Sequence, residues 1–175
     1  SRASILTGLV TDAHGVRDNG IDLPPEVGSA GFAGRLSAEG YKTAFIGKAH
    51  FASKRTLEPT GSPECRSSSK EYPTDWSGPY MGFEHTELMV NGSMHRERPP
   101  TRPPEGQHYE RFVFNEANGP DVYDQWKTER YEDPETPKTW HSNLPPAWHT
   151  SSWVGDRVVD FITHHDDEDP FLIWA

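Results

Sequence analysis

Three side chains in this sequence have the types and spacing needed to handle an anion. Lys48 and His50 flank Ala49 in Gly47-Lys48-Ala49-His50-Phe51, and Arg2 follows Ser1 at the head of Ser1-Arg2-Ala3-Ser4-Ile5-Leu6-Thr7-Gly8. An ammonium is a compact point charge suited to one oxygen, whereas a guanidinium offers paired donors in a fixed fork. An imidazole beside them can serve as a general base. If Lys48 and His50 continue an extended strand, positions two apart face the same side and the two side chains converge on one point. Each residue also has an ordinary structural reading: Arg2 in a surface ion pair at a helix start, Lys48 on the solvated surface, and His50 satisfied by its neighbours.

The segments that carry these residues resemble two blocks of the formylglycine-dependent sulfatases. Ser1 to Gly8 is similar to the latter part of the family signature, Cys/Ser-x-Pro-Ser-Arg-x-x-x-Leu/x-Thr-Gly. Gly40-Tyr41-Lys42-Thr43-Ala44-Phe45-Ile46-Gly47-Lys48-Ala49-His50-Phe51 is similar to its Gly-Tyr-x-Thr-x-x-x-Gly-Lys-x-His block, and the two come in the family's order. The resemblance implies a Cys or Ser upstream of Ser1, oxidised to formylglycine, whose hydrate attacks the sulfur of a sulfate ester. It implies that Arg2 holds the hydrate and its metal surroundings, that Lys48 contacts the sulfate and the nucleophile, and that His50 bonds a hydroxyl of the hydrate and helps to expel sulfate. Ser1 matches the motif Ser, in a structural rather than a catalytic capacity. A divalent cation, calcium, is implied, with ligands outside this chain, so no metal ligand is assigned within it.

The implied partners are a small-molecule or carbohydrate sulfate ester and an enzyme that installs formylglycine, either the formylglycine-generating or the anaerobic sulfatase-maturing kind. The implied fold is the alkaline-phosphatase-like α/β sandwich with a mostly parallel central sheet, and residues 1–175 read as part of such a catalytic domain, cut at both ends. Ala49 stands where the family often has Trp, which bears on the subclass rather than the chemistry. Two other readings stay open: a phosphonate monoester or phosphodiester hydrolase of the same fold, and a binding homologue without a nucleophile.

Other candidates are weaker. His14, in His14-Gly15-Val16, could line the pocket or bond backbone in its turn. His149 could touch substrate, although capping by Thr150 or Ser151 is the simpler role of that neighbourhood. His164-His165-Asp166-Asp167-Glu168-Asp169 suggests a metal, but consecutive side chains diverge and such runs form solvated loops. Asp18 and Asn19 resemble a metal pair only superficially.

Composition bounds the reading. The charge of −10, from 17 basic and 27 acidic residues, disfavours nucleic acid and anionic membranes, so anion binding must rest on local cations. A single cysteine, Cys65, excludes an internal disulfide, and no apolar run is long enough to span a bilayer. Only 33% of residues are hydrophobic, against 16 Pro and 15 Gly, which argues that the elements pack against further chain.

The elements that must position the candidates alternate helix and strand. Ser1 to Gly8 reads as a short helix with a glycine cap, its N-terminus facing the reacting anion. Thr11 to Pro25 reads as a loop, Glu26 to Glu39 as one helix stopped by Gly40, and Tyr41 to Ile46 as a strand that delivers Lys48 and His50 at its carboxyl end, where open α/β sheets bind ligands. Residues 52–148 hold a long irregular insert, either pocket-forming or a surface excursion, with a strand at Gly82 to Val90 and a helix at Pro120 to Arg130. Thr150 to His164 has the period of an amphipathic helix that buries Trp153, Val154, Val158, Phe161 and Ile162. The wholly apolar Pro170 to Ala175 suits a central parallel strand covered on both faces.

Overall fold

The computed structural model describes residues 1–53, 56, 58–69, 71–90, 108–113, 145–165 and 168–175. The expected helix at Pro120 to Arg130 lies outside them. Among the described residues three parallel strands, β1 (Lys42–Gly47), β2 (His85–Leu88) and β3 (Phe171–Trp174), form one sheet in the order β2-β1-β3. Ala44 aligns with His85 on one side of β1, and Lys42 aligns with Phe171 on the other. The expected α/β class with a parallel sheet is what forms.

Side-chain alternation along the strands divides the core in two. Phe45, Leu88, Leu172 and Trp174 face a cluster that includes Ala3, Leu6, Ala33, Phe51 and Phe83. Ile46 and Ile173 face a second cluster with Tyr109, Val113 and Trp153. The first is dense in aromatic edges, with Phe45 5.5 Å from Phe83 and 5.8 Å from Trp174.

The helices of the first face are short. α1 (Arg2–Thr7) ends at Gly8, whose φ of 70° is left-handed and whose N–H returns to the Ser4 carbonyl at 2.9 Å. The stretch expected as loop contains a helical turn, α2 (Thr11–His14). The single helix expected over Glu26 to Glu39 is two, α3 (Pro25–Ser29) and α4 (Phe32–Ala38). The break has a steric cause. Gly31 passes so close to α1 that a Cβ on it would lie 2.3 Å from the Leu6 carbonyl oxygen, and the chain there is extended rather than helical. Gly40 ends α4 as expected, and the Tyr41 N–H bonds back to the Leu36 carbonyl at 3.0 Å.

On the second face lies α7 (Thr150–Thr163), after the helical turns α5 (Arg66–Ser69) and α6 (His108–Arg111) and a 3-10 turn at Pro146–Trp148. Trp153 is buried and Val154, Val158 and Phe161 pack beside it, but Ile162 is 46% exposed, on the margin of the apolar stripe. His149 takes the N-cap position with no side-chain hydrogen bond, so neither Thr150 nor Ser151 caps this helix.

The apolar run at Pro170 to Ala175 forms β3, which among the described residues pairs with β1 alone. It is half-buried after an exposed Phe171, whereas β1, paired on both sides, is buried at every position after Lys42. Both faces of β3 are packed, through Leu172 and Trp174 on one side and Ile173 on the other, and that accounts for its unbroken apolarity. Within 52–148 the described residues supply β2, α5, α6 and the 3-10 turn at Pro146–Trp148. Among the described residues no helix is long and apolar enough to cross a membrane.

Candidate functional site

β1 ends at Gly47, and a short turn follows rather than further strand. Gly47 has a φ of 127°, and a Cβ there would meet Val154 Cγ2 of α7 at 3.6 Å, so the first turns of α7 run beside the carboxyl end of β1. Lys48 is exposed, Ala49 is buried and His50 is half-buried. His50 adopts a φ of 60°, a left-handed conformation uncommon for a residue with a Cβ. The strand alternation expected to aim Lys48 and His50 at one point therefore does not apply. A curled turn anchored by Ala49 presents them instead.

Four contacts secure that turn. The Leu23 N–H donates to the Phe51 carbonyl at 2.8 Å, and the Ser53 N–H donates to Asp22 Oδ1 at 2.7 Å. Glu64 accepts the N–H groups of both His50 and Phe51, the latter at 2.8 Å. Burial pushes the Glu64 carboxyl above the usual range, against the pull of the backbone and Tyr80 hydrogen bonds. Tyr80, whose hydroxyl donates to Glu64 at 2.9 Å, is driven well up by burial and by that carboxylate's charge.

Arg2 is exposed in the first turn of α1. Its neighbour Ala3 and the Ala49 between Lys48 and His50 belong to the same buried cluster, so the fold packs both segments over one core. His14 is 3% exposed. Its Nδ1 accepts the Val16 N–H at 3.1 Å, which leaves the proton on Nε2 to bond Ser4 Oγ at 2.9 Å. Nε2 thus ties α2 to α1, while Nδ1 holds the turn that follows α2. His149 sits half-buried at the head of α7.

Among the described residues no three His, Cys, Asp or Glu side chains are grouped to hold a metal ion. Asp18 Oδ1 accepts the Asn19 N–H at 2.7 Å in an exposed turn, and Asp12 pairs with Arg17 at 3.2 Å. His164 pairs with Asp160 at 3.1 Å, while His165 stacks on Phe161 and meets Phe171 edge-on. Cys65 is wholly buried; burial raises its thiol, but hydrogen bonds with Ser67 and Thr56 reverse that and bring it to about 5.

Sequence reasoning missed a second polar group, under α7 on the second face of the sheet, where Glu87 aligns with Ile46 of β1. Glu87 of β2 accepts Arg157 Nε at 2.6 Å and Nη2 at 2.8 Å, and bonds His85 Nε2 at 2.9 Å. Burial opposes its ionisation most strongly, yet the hydrogen bonds from His85 and Arg157 and their charge hold the carboxyl down at about 2. A cleft of about 380 Å³ opens beside it, lined by Lys42, His85, Arg157 and Asp169, at the amino ends of the strands. His108 accepts the Leu88 N–H on Nδ1 at 3.0 Å and donates from Nε2 to the Trp76 carbonyl at 2.9 Å. Burial, with the Arg111 charge, lowers it to about 4. Only His85 and Glu87 are close in sequence; the contacts of Arg157 and His108 span 20 or more positions, so no local spacing marks the group.

The fold matches that of the phosphonate monoester hydrolase SpPMH from Silicibacter pomeroyi, with a TM-score of 0.55 and 18% identity, over 99% of this chain and 30% of that one. The architecture is thus of the alkaline-phosphatase-like kind. This chain spans less than a third of the length of that enzyme. No family model matches the sequence, and no curated protein does.

Proposed function

We propose that this chain forms the anion-binding part of a hydrolase that cleaves a sulfate monoester, with Arg2, Lys48 and His50 as its working residues. The observation that supports this most is the packing of Ala3 and Ala49 in one buried cluster, beneath the two segments whose wording resembles the sulfatase blocks. The carboxyl end of β1 is also where a parallel α/β sheet accommodates ligands.

In this reading Lys48 neutralises one ester oxygen and Arg2 offers paired donors to the anion. His50 takes the proton of a hydroxyl as charge moves onto the leaving oxygen. The formylglycine and divalent cation implied by the motifs would supply the nucleophile and Lewis-acid polarisation. The carboxylates beside the turn do not fit as metal ligands, since Asp22 Oδ1 and both Glu64 oxygens already accept backbone N–H groups.

A phosphonate monoester is the second reading, favoured by the activity named for the fold neighbour. Sulfate and phosphonate esters share geometry and differ in charge, so kinetics separates them. The full-length gene product, assayed with p-nitrophenyl sulfate and p-nitrophenyl phenylphosphonate, is expected to favour the sulfate in kcat/KM. A preference for the phosphonate moves the assignment to the second reading, and hydrolysis of neither sinks both.

A further inference from the structure

The Lys48–His50 turn has no strand ladder to hold it, because β1 stops at Gly47. Of the contacts that replace it, those to the His50 amide and its neighbour come from one side chain. Glu64 is 2% exposed, and its two oxygens receive the N–H groups of His50 and Phe51 and the hydroxyl of Tyr80. Successive amides reach one carboxylate only where the backbone curls, and the left-handed φ of His50 is that curl. The conformation is unfavourable for a residue with a Cβ and persists only where its surroundings enforce it. Tyr80 is itself fixed: it exchanges backbone hydrogen bonds of 2.9 Å with Phe83 and its ring lies 6.4 Å from that of Phe51.

We infer that Glu64 is the positioning residue of this site: it holds the His50 backbone left-handed and so sets the direction of the imidazole. The inference rests on the role proposed for His50. A carboxylate is required because it only accepts; the amide of glutamine would turn an N–H against one of the two backbone donors.

Histidine-selective NMR of the full-length gene product tests this. The His50 signal is identified by its loss in His50→Ala. In Glu64→Gln it is expected to shift, while those of His14 and His108, each held by its own two partners, stay in place. An unmoved His50 signal, or equal movement of all three, overturns the inference. In turnover, Glu64→Gln is expected to lower kcat about 10-fold with KM nearly unchanged, and to add nothing when His50 is already alanine. An equal loss in both backgrounds would make Glu64 a general stabiliser and overturn it. If Glu64→Gln does not fold, Tyr80→Phe removes one donor to the same carboxylate and should move the His50 signal less, in the same direction; no movement there overturns it as well. Full turnover in His50→Ala is a different failure, one that removes the site reading on which the positioning role depends.

Discussion

At the scale of single residues, the two cations and the base differ in what they can tolerate. Lys48 is exposed on a turn whose anchor is Ala49, so its loss should cost little stability and much activity. Lys48→Ala is expected to reduce kcat/KM by roughly 100-fold or more, with thermal unfolding shifted by only a degree or two. Lys48→Arg should not restore it, since a planar fork replaces a point charge. His50→Ala should lower kcat on a similar scale, and full activity in either alanine variant would remove that residue from the site. A dense local motif is what singles out Lys48 and His50 in the sequence for the proposed site. Glu64 was not, because a lone acid in a Ser- and Pro-rich stretch carries no periodic sign, and its task depends on a backbone curl that no strand reading anticipates.

Between elements, β2 and α7 are joined by Glu87, Arg157 and His85, and β2 is tied to α6 and Trp76 by His108. The joint has a definite pH dependence. Glu87, at about 2 when folded against 4.5, binds its proton later than the unfolded chain does, so its contribution is present above pH 4.5 and is lost as pH falls toward 2. His108, at about 4 against 6.5, adds stability that is present above pH 6.5 and is lost as pH falls toward 4. Stability should therefore decline in two overlapping steps on acidification. Urea titrations of Glu87→Gln are expected to show lower stability at pH 7 and a flatter curve below pH 4.5; an unchanged acid limb would disprove the tie. The helical period made the extent of α7 readable, because one strong stripe over 14 residues outweighs other patterns, though it misplaced Ile162 at the margin. At β3 an apolar run reports two covered faces but says nothing of how many neighbours the strand has. Periodicity erred at α3 and α4, where the break comes from the carbonyl of a residue 25 positions away.

For the molecule as a whole, the net charge of −10 and the apolar surface pull in opposite directions. Val10 is 72% exposed, Val159 62% and Ile5 61%, and β3 leaves one side unpaired among the described residues. An open strand edge with apolar neighbours is a template for association. The 175 residues expressed alone are expected to self-associate at micromolar concentration, more strongly as added salt screens the charge, as light scattering would show. A salt-insensitive monomer with a sharp thermal transition would contradict this. The α/β class and parallel sheet were readable from the order of elements, whereas the two-sided core was not, because it depends on which face each helix covers. The sheet order carries one more consequence. β1, which leads into the candidate site, pairs through Lys42 with Phe171, 129 positions later. At translation rates of about 5–20 residues per second, roughly ten seconds separate the emergence of β1 from that of its second neighbour. Throughout that interval one edge of β1 awaits its partner, so the order of synthesis makes the strand that leads into the candidate site among the last to be enclosed.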